Sequence, residues 1–111
     1  MLSSRPGMAR ILLVGVDSSL QGELETLLGA HRVVAHEGVG APDLVIADLG
    51  RIAAEEVADA YPDVPLLGFT SSGDSSGMRL ARAAGFDEVV EKASLHERLG
   101  ELVGGLLTPV E

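Results

Sequence analysis

Three residues in this chain combine suitable chemistry with suitable positions, and a fourth stands nearby: Asp48, Thr70, Lys92 and Asp17. Asp48 closes the apolar run Leu44-Val45-Ile46-Ala47, Thr70 closes Leu66-Leu67-Gly68-Phe69, and Lys92 follows Val89-Val90-Glu91. The residue that ends a buried strand is where chemistry is sought, and these three supply a carboxylate, a hydroxyl and an ammonium there. That chemistry needs the three side chains to converge, so it depends on the elements that carry them.

Those elements are read from the aliphatic runs. A stretch such as Leu44 to Ala47, with no polar alternation, reads as a strand covered on both faces, which implies a parallel sheet flanked by helices. Similar runs predict strands at Arg10 to Gly15, Leu66 to Thr70 and Asp87 to Glu91, with a shorter, more polar edge strand at His31 to Ala35. Between them lie helical stripes. Leu20, Leu24, Leu27 and Leu28 follow a capping box opened by Ser18, and Leu95, Leu99, Leu102, Val103 and Leu106 follow a second box opened by Ser94. Ile52 to Tyr61 offers Ala53, Val57, Ala60 and Tyr61 as an inward stripe, and a helix from Met78 to Ala84 stops at Gly85. Only His36 to Asp43 separate the second and third strands, so the helix there is missing or reduced. Strand and helix otherwise alternate, which predicts a single α/β domain over residues 9–107 with a doubly wound five-stranded parallel sheet, and tails at 1–8 and 108–111. In such sheets the functional crevice lies beyond the carboxyl ends of the strands, where Asp17, Asp48, Thr70 and Lys92 all fall.

Composition narrows the functions. A chain of 111 residues has room for one domain, and 46% hydrophobic with 23% charged residues is a soluble globular mixture. The net charge of −9 disfavours nucleic acid and anionic membrane as partners, since both require positive charge. There is no cysteine, and His31, His36 and His96 lack metal-ligand spacing. No apolar run approaches the roughly 20 residues of a membrane span and no signal-peptide core precedes the first strand, so the expectation is a cytoplasmic protein. No nucleophile is paired with a base, so an enzyme is not expected, nor a resident cofactor.

Four segments together resemble a known family: Ile11 to Val14, Pro42 to Leu49, Pro65 to Thr70, and Ala84 to Lys92. In order and spacing they are similar to the receiver domain of two-component response regulators. The resemblance implies a flavodoxin-like sheet with strand order 2-1-3-4-5, Asp48 at the phosphoacceptor position, and Thr70 and Lys92 at the positions that contact the phosphoryl group. It also exposes departures. The acidic pair that holds Mg²⁺ in the family matches Gly15 and Val16, neither of which can ligate through a side chain. Asp17 and Asp48 are the remaining metal candidates, although an acid just before a capped helix is also what the helix dipole favours. Val89 stands in place of the family's switch aromatic, and Ala93 in place of the proline after the lysine.

These departures describe an atypical receiver, or pseudo-receiver: a signalling protein-interaction module that is independent of phosphorylation or only weakly phosphorylated. The expected partners are other signalling proteins, a histidine kinase or an output protein, met by a monomer or homodimer through the Met78 to Ala84 helix, the strand around Val89 and the last helix. Two alternatives stand beside it. One is a functional phosphoacceptor using Asp48 with Mg²⁺; the other is a flavodoxin-like domain that binds a small molecule. With the metal pair missing, an ion pair between Lys92 and Asp48 is expected to tie two strand ends together.

Overall fold

The aliphatic runs do form strands, and they align as a parallel sheet. The computed structural model describes residues 10–29, 32–34, 42–71 and 73–107. Within them run β1 (Arg10–Val14), α1 (Ser18–Leu27), β2 (Arg32–Val34), β3 (Leu44–Asp48), α2 (Ala54–Ala60), β4 (Leu66–Thr70), α3 (Ser75–Ala84), β5 (Glu88–Glu91) and α4 (Lys92–Leu107). The sheet order is β2-β1-β3-β4-β5, and every adjacent pair is parallel. The short link expected between β2 and β3 falls on residues 35–41, outside the described residues, as do the tails 1–8 and 108–111.

Alternate side chains of the central strands feed two cores. Ile11, Leu13, Leu44, Ile46, Leu67, Phe69 and Val90 face one layer, packed by Leu20, Leu24 and Leu28 of the α1 region and by Leu95, Leu99, Leu102 and Val103 of α4. Leu12, Val45, Ala47, Leu66 and Val89 face the other, against Val57 of α2, Ala81 of α3 and Phe86. Leu44 to Ala47 are therefore buried without a break, the burial of a strand sandwiched between helical layers. The first core is rich in leucine, while much of the second is alanine and half-buried apolar side chains.

Several helix boundaries differ from the sequence expectation, each for a local reason. Asp17, not Ser18, is the N-cap of α1: its Oδ1 accepts the Leu20 backbone N–H at 2.8 Å. A carboxylate at that place satisfies an orphan donor and meets the positive end of the helix dipole. α3 starts a turn earlier than Met78 because Asp74 caps it, taking the Gly77 N–H at 3.0 Å. α4 starts at Lys92, directly from β5, so Ser94 lies inside its first turn. In α2 the half-buried inward residues beside Val57 are Ala54 and Ala58, with Tyr61 beyond the end, whereas Ala53 and Ala60 are exposed. That shift follows from where the helix begins, which sets the phase of its inward stripe.

Candidate functional site

The carboxyl ends of β1, β3, β4 and β5 bring the candidate residues to one edge of the sheet. Asp48 is the last residue of β3, opposite Phe69 of β4 in register, and Thr70 is opposite Glu91 of β5. Asp48 is half-buried, Thr70 is buried at 3% exposure, and Lys92 is exposed in the first turn of α4.

Each acidic side chain at this edge is engaged with a backbone N–H of its own or a neighbouring loop. Asp48 Oδ1 accepts the Gly50 N–H at 2.9 Å, while its carbonyl accepts from Arg51 and Ile52 at 3.0 and 3.1 Å. The side chain thus builds the turn that follows β3, an Asx-type arrangement. Asp17 Oδ1 holds the start of α1, and Glu91 Oε2 accepts the Gly73 N–H at 3.0 Å, pinning the loop after β4. Asp74 was not singled out in the sequence, yet it organises that loop. Its Oδ2 accepts the Thr70 hydroxyl at 2.7 Å and its Oδ1 the Gly77 N–H. These two donors, first Thr70 and then Gly77, hold its carboxyl below the ordinary value of 3.8 against a smaller opposing effect of desolvation. A Cβ at Gly77 would lie 2.1 Å from Asp74 Oδ2, so any other residue there would make this carboxylate shift. The signal available in the sequence was an aspartate three residues before a glycine in a serine-rich stretch, which is N-cap spacing.

Arg51 brings a cation to the same edge. Its Nη1 lies 3.7 Å from Asp17 Oδ2, joining the turn after β3 to the start of α1. The close approach runs over Gly15, whose φ of +72° favours glycine and whose Cβ position lies 3.3 Å from Ile52 Cγ2 and 3.6 Å from Arg51 Cβ. Val16 packs its side chain against the α1/α4 core. Val89 is buried in the opposite layer, and Ala93 is exposed at the start of α4. The expected ion pair between Lys92 and Asp48 is not formed: among the described residues the ion pairs are Arg51–Asp17 and His96–Glu23, the second linking α4 to α1.

These donors do not match a divalent-cation site of the kind the resemblance implies. Mg²⁺ is held by one or two carboxylates with waters and phosphate oxygens. Asp17 already shares its oxygens between Leu20 N–H and Arg51, one Asp48 oxygen accepts from Gly50, and Gly15 and Val16 offer no side-chain oxygen. Among the described residues no three His, Cys, Asp or Glu side chains gather as a metal-binding group.

No family model matches this chain, and no curated protein does. Solved structures do. A response regulator receiver domain protein from Clostridium thermocellum superposes with a TM-score of 0.75 at 19% identity, over 89% of this chain and 94% of that one. A response regulator from Thermotoga maritima gives a TM-score of 0.76 at 14% identity, over 92% and 99% respectively. NtrX from Brucella abortus gives 0.77 at 18% identity over 90% of this chain, which spans 27% of that longer protein. The fold is that of response regulator receiver domains.

Proposed function

We propose that this chain is a receiver-fold signalling module that acts by binding other signalling proteins and does not depend on phosphorylation of Asp48. The observation that carries this reading is the use of the acidic side chains at the carboxyl edge. Asp17, Asp48, Asp74 and Glu91 each hold a loop or cap, and Arg51 faces Asp17, one of the two acids left as metal candidates. Phosphoryl transfer to a carboxylate relies on a cation to neutralise the accumulating charge, and the two acids nearest such a position, Asp17 and Asp48, are engaged with backbone N–H groups and, for Asp17, with Arg51. Thr70 supports the same reading, since its hydroxyl is donated to Asp74. The module is not an enzyme in this reading, and its partners are a histidine kinase or an output protein.

The test is amide NMR of the full chain with beryllofluoride and Mg²⁺. Unchanged Gly50, Arg51 and Gly73 resonances are expected; saturable, Mg²⁺-dependent shifts at those amides would overturn the reading. Asp48→Asn is expected to leave partner binding intact.

A second reading, phosphoacceptance at Asp48, has one observation in its favour. Asp48 Oδ2 sits at the end of a buried strand with no protein hydrogen bond among the described residues. Acid-labile phosphate on Asp48 after treatment with a small phosphodonor, detected by mass spectrometry, would establish it.

No helix among the described residues is long and apolar enough to cross a membrane.

A further inference from the structure

The face formed by α2 and α3 carries two opposite charge rows that do not neutralise each other. On α2, Glu55, Glu56 and Asp59 are exposed; on α3, Arg79 and Arg82 are exposed. The two helices are packed neighbours on the same side of the sheet, yet among the described residues no ion pair within 4 Å joins the rows. α3 is also a local inversion of sign on a chain whose net charge is −9.

Between the rows lies an apolar groove of roughly 350 Å³, lined by Leu49, Ala53, Ala54, Glu55, Gly77 and Leu80. Leu80 is 69% exposed, the more exposed of the two large apolar side chains left open to solvent among the described residues. A leucine so placed, at the groove with Arg79 next to it, has the form of an interface anchor beside a charged rim.

We infer that this face is a homodimer interface, with a second copy of the chain as its occupant. Both helices follow strands of a parallel sheet on one face, so they run in the same direction. A two-fold axis parallel to them and lying over the groove sets α3 of one copy over α2 of the other, in both directions at once. That axis leaves each residue at its own height along the helices and turns Arg79 and Arg82 toward the partner's row of Glu55, Glu56 and Asp59. Leu80 lies nearest the axis and packs against its own symmetry mate. A two-fold axis across the helices would instead set acid on acid.

The interface shares α3 with the α3, β5 and α4 surface assigned above to signalling partners but adds α2 in place of β5 and α4, and the proposal stands or falls independently of phosphorylation. Sedimentation equilibrium of the full chain tests it, and charge swaps give it specificity. One variant carries Glu55→Arg, Glu56→Arg and Asp59→Arg; the other carries Arg79→Glu and Arg82→Glu. All five side chains are exposed, so the fold is retained, as circular dichroism would check. The unsubstituted chain is expected to dimerise, each variant alone to be monomeric, and an equimolar mixture of the two to recover a heterodimer. Leu80→Asp is expected to weaken the dimer by roughly tenfold or more. A chain that remains monomeric up to about 1 mM, a range of millimolar affinity, would overturn the proposal. So would a dimer unaffected by either variant, or a mixture that stays monomeric.

Discussion

The two ends of the sheet use the same residue type in different ways. At the amino ends, Asp43 and Asp87 each precede a strand and make the same reciprocal pair of bonds to the strand beside it. Asp43 donates its N–H to the Arg10 carbonyl and takes the Arg10 N–H on Oδ2, at 2.7 and 2.8 Å. Asp87 does the same with Leu66, at 3.0 and 2.8 Å. These aspartates extend the ladder by one step and close the edge. At the carboxyl ends, Asp17, Asp48, Asp74 and Glu91 instead each take a single backbone N–H from a loop or cap, those of Leu20, Gly50, Gly77 and Gly73. Position at the carboxyl edge is thus insufficient for a convergent site. What a carboxylate can do depends on what else it already holds.

Four measurements sharpen this contrast. The largest effect is expected at the amino edge, where Asp87→Ala strands the N–H of Leu66 at the start of a buried strand and costs about 1–3 kcal/mol in urea denaturation. Asp43→Ala should cost less, because that bond is exposed. Next is the attempt to introduce a metal ligand: Gly15→Asp should cost about 1 kcal/mol, because φ there is +72° and the new Cβ crowds Ile52. A stabilised variant that also bound Mg²⁺ by calorimetry would break the contrast between the two edges.

Smaller still, Arg51→Ala should change stability by about 0–1 kcal/mol, because the ion pair to Asp17 is well exposed. A larger loss would mean that the guanidinium does more than screen an exposed acid. The last measurement is a titration. The Asp74 carboxyl is depressed in the folded state, so its contribution to stability is present above 3.8 and is lost as pH falls below that value through the folded pKa. Thr70→Val removes the larger cause, so the carboxyl resonance of Asp74 should titrate at a higher pH in that variant.

Much of the fold was legible because burial on two faces leaves so plain a mark. Leu44 to Ala47 and Leu66 to Phe69 read as sandwiched strands, and Leu95, Leu99, Leu102 and Val103 mark the buried stripe of α4. Helix starts were harder, since Ser18 and Ser94 fit a capping pattern as well as the true boundary residues do. Only the backbone geometry chose Asp17 and started α4 at Lys92. Within the candidate site, the residue types at Asp48, Thr70 and Lys92 were visible in the sequence. Their engagements were not: Thr70 donates to Asp74, and Lys92 is solvent-exposed with no ion pair to Asp48.

By itself the sequence determined the layers, the carboxyl-edge position of Asp48, and the absence of side-chain oxygens at Gly15 and Val16, because hydrophobic runs and residue chemistry are local properties. Tertiary structure alone decided that Asp74 takes the Thr70 hydroxyl, that Arg51 reaches Asp17 across Gly15, and that an acidic and a basic helix lie side by side. Each of these joins groups through a turn, a cap or a neighbouring element whose geometry depends on the packed sheet. A carboxylate's partners are fixed by distances that exist only after folding.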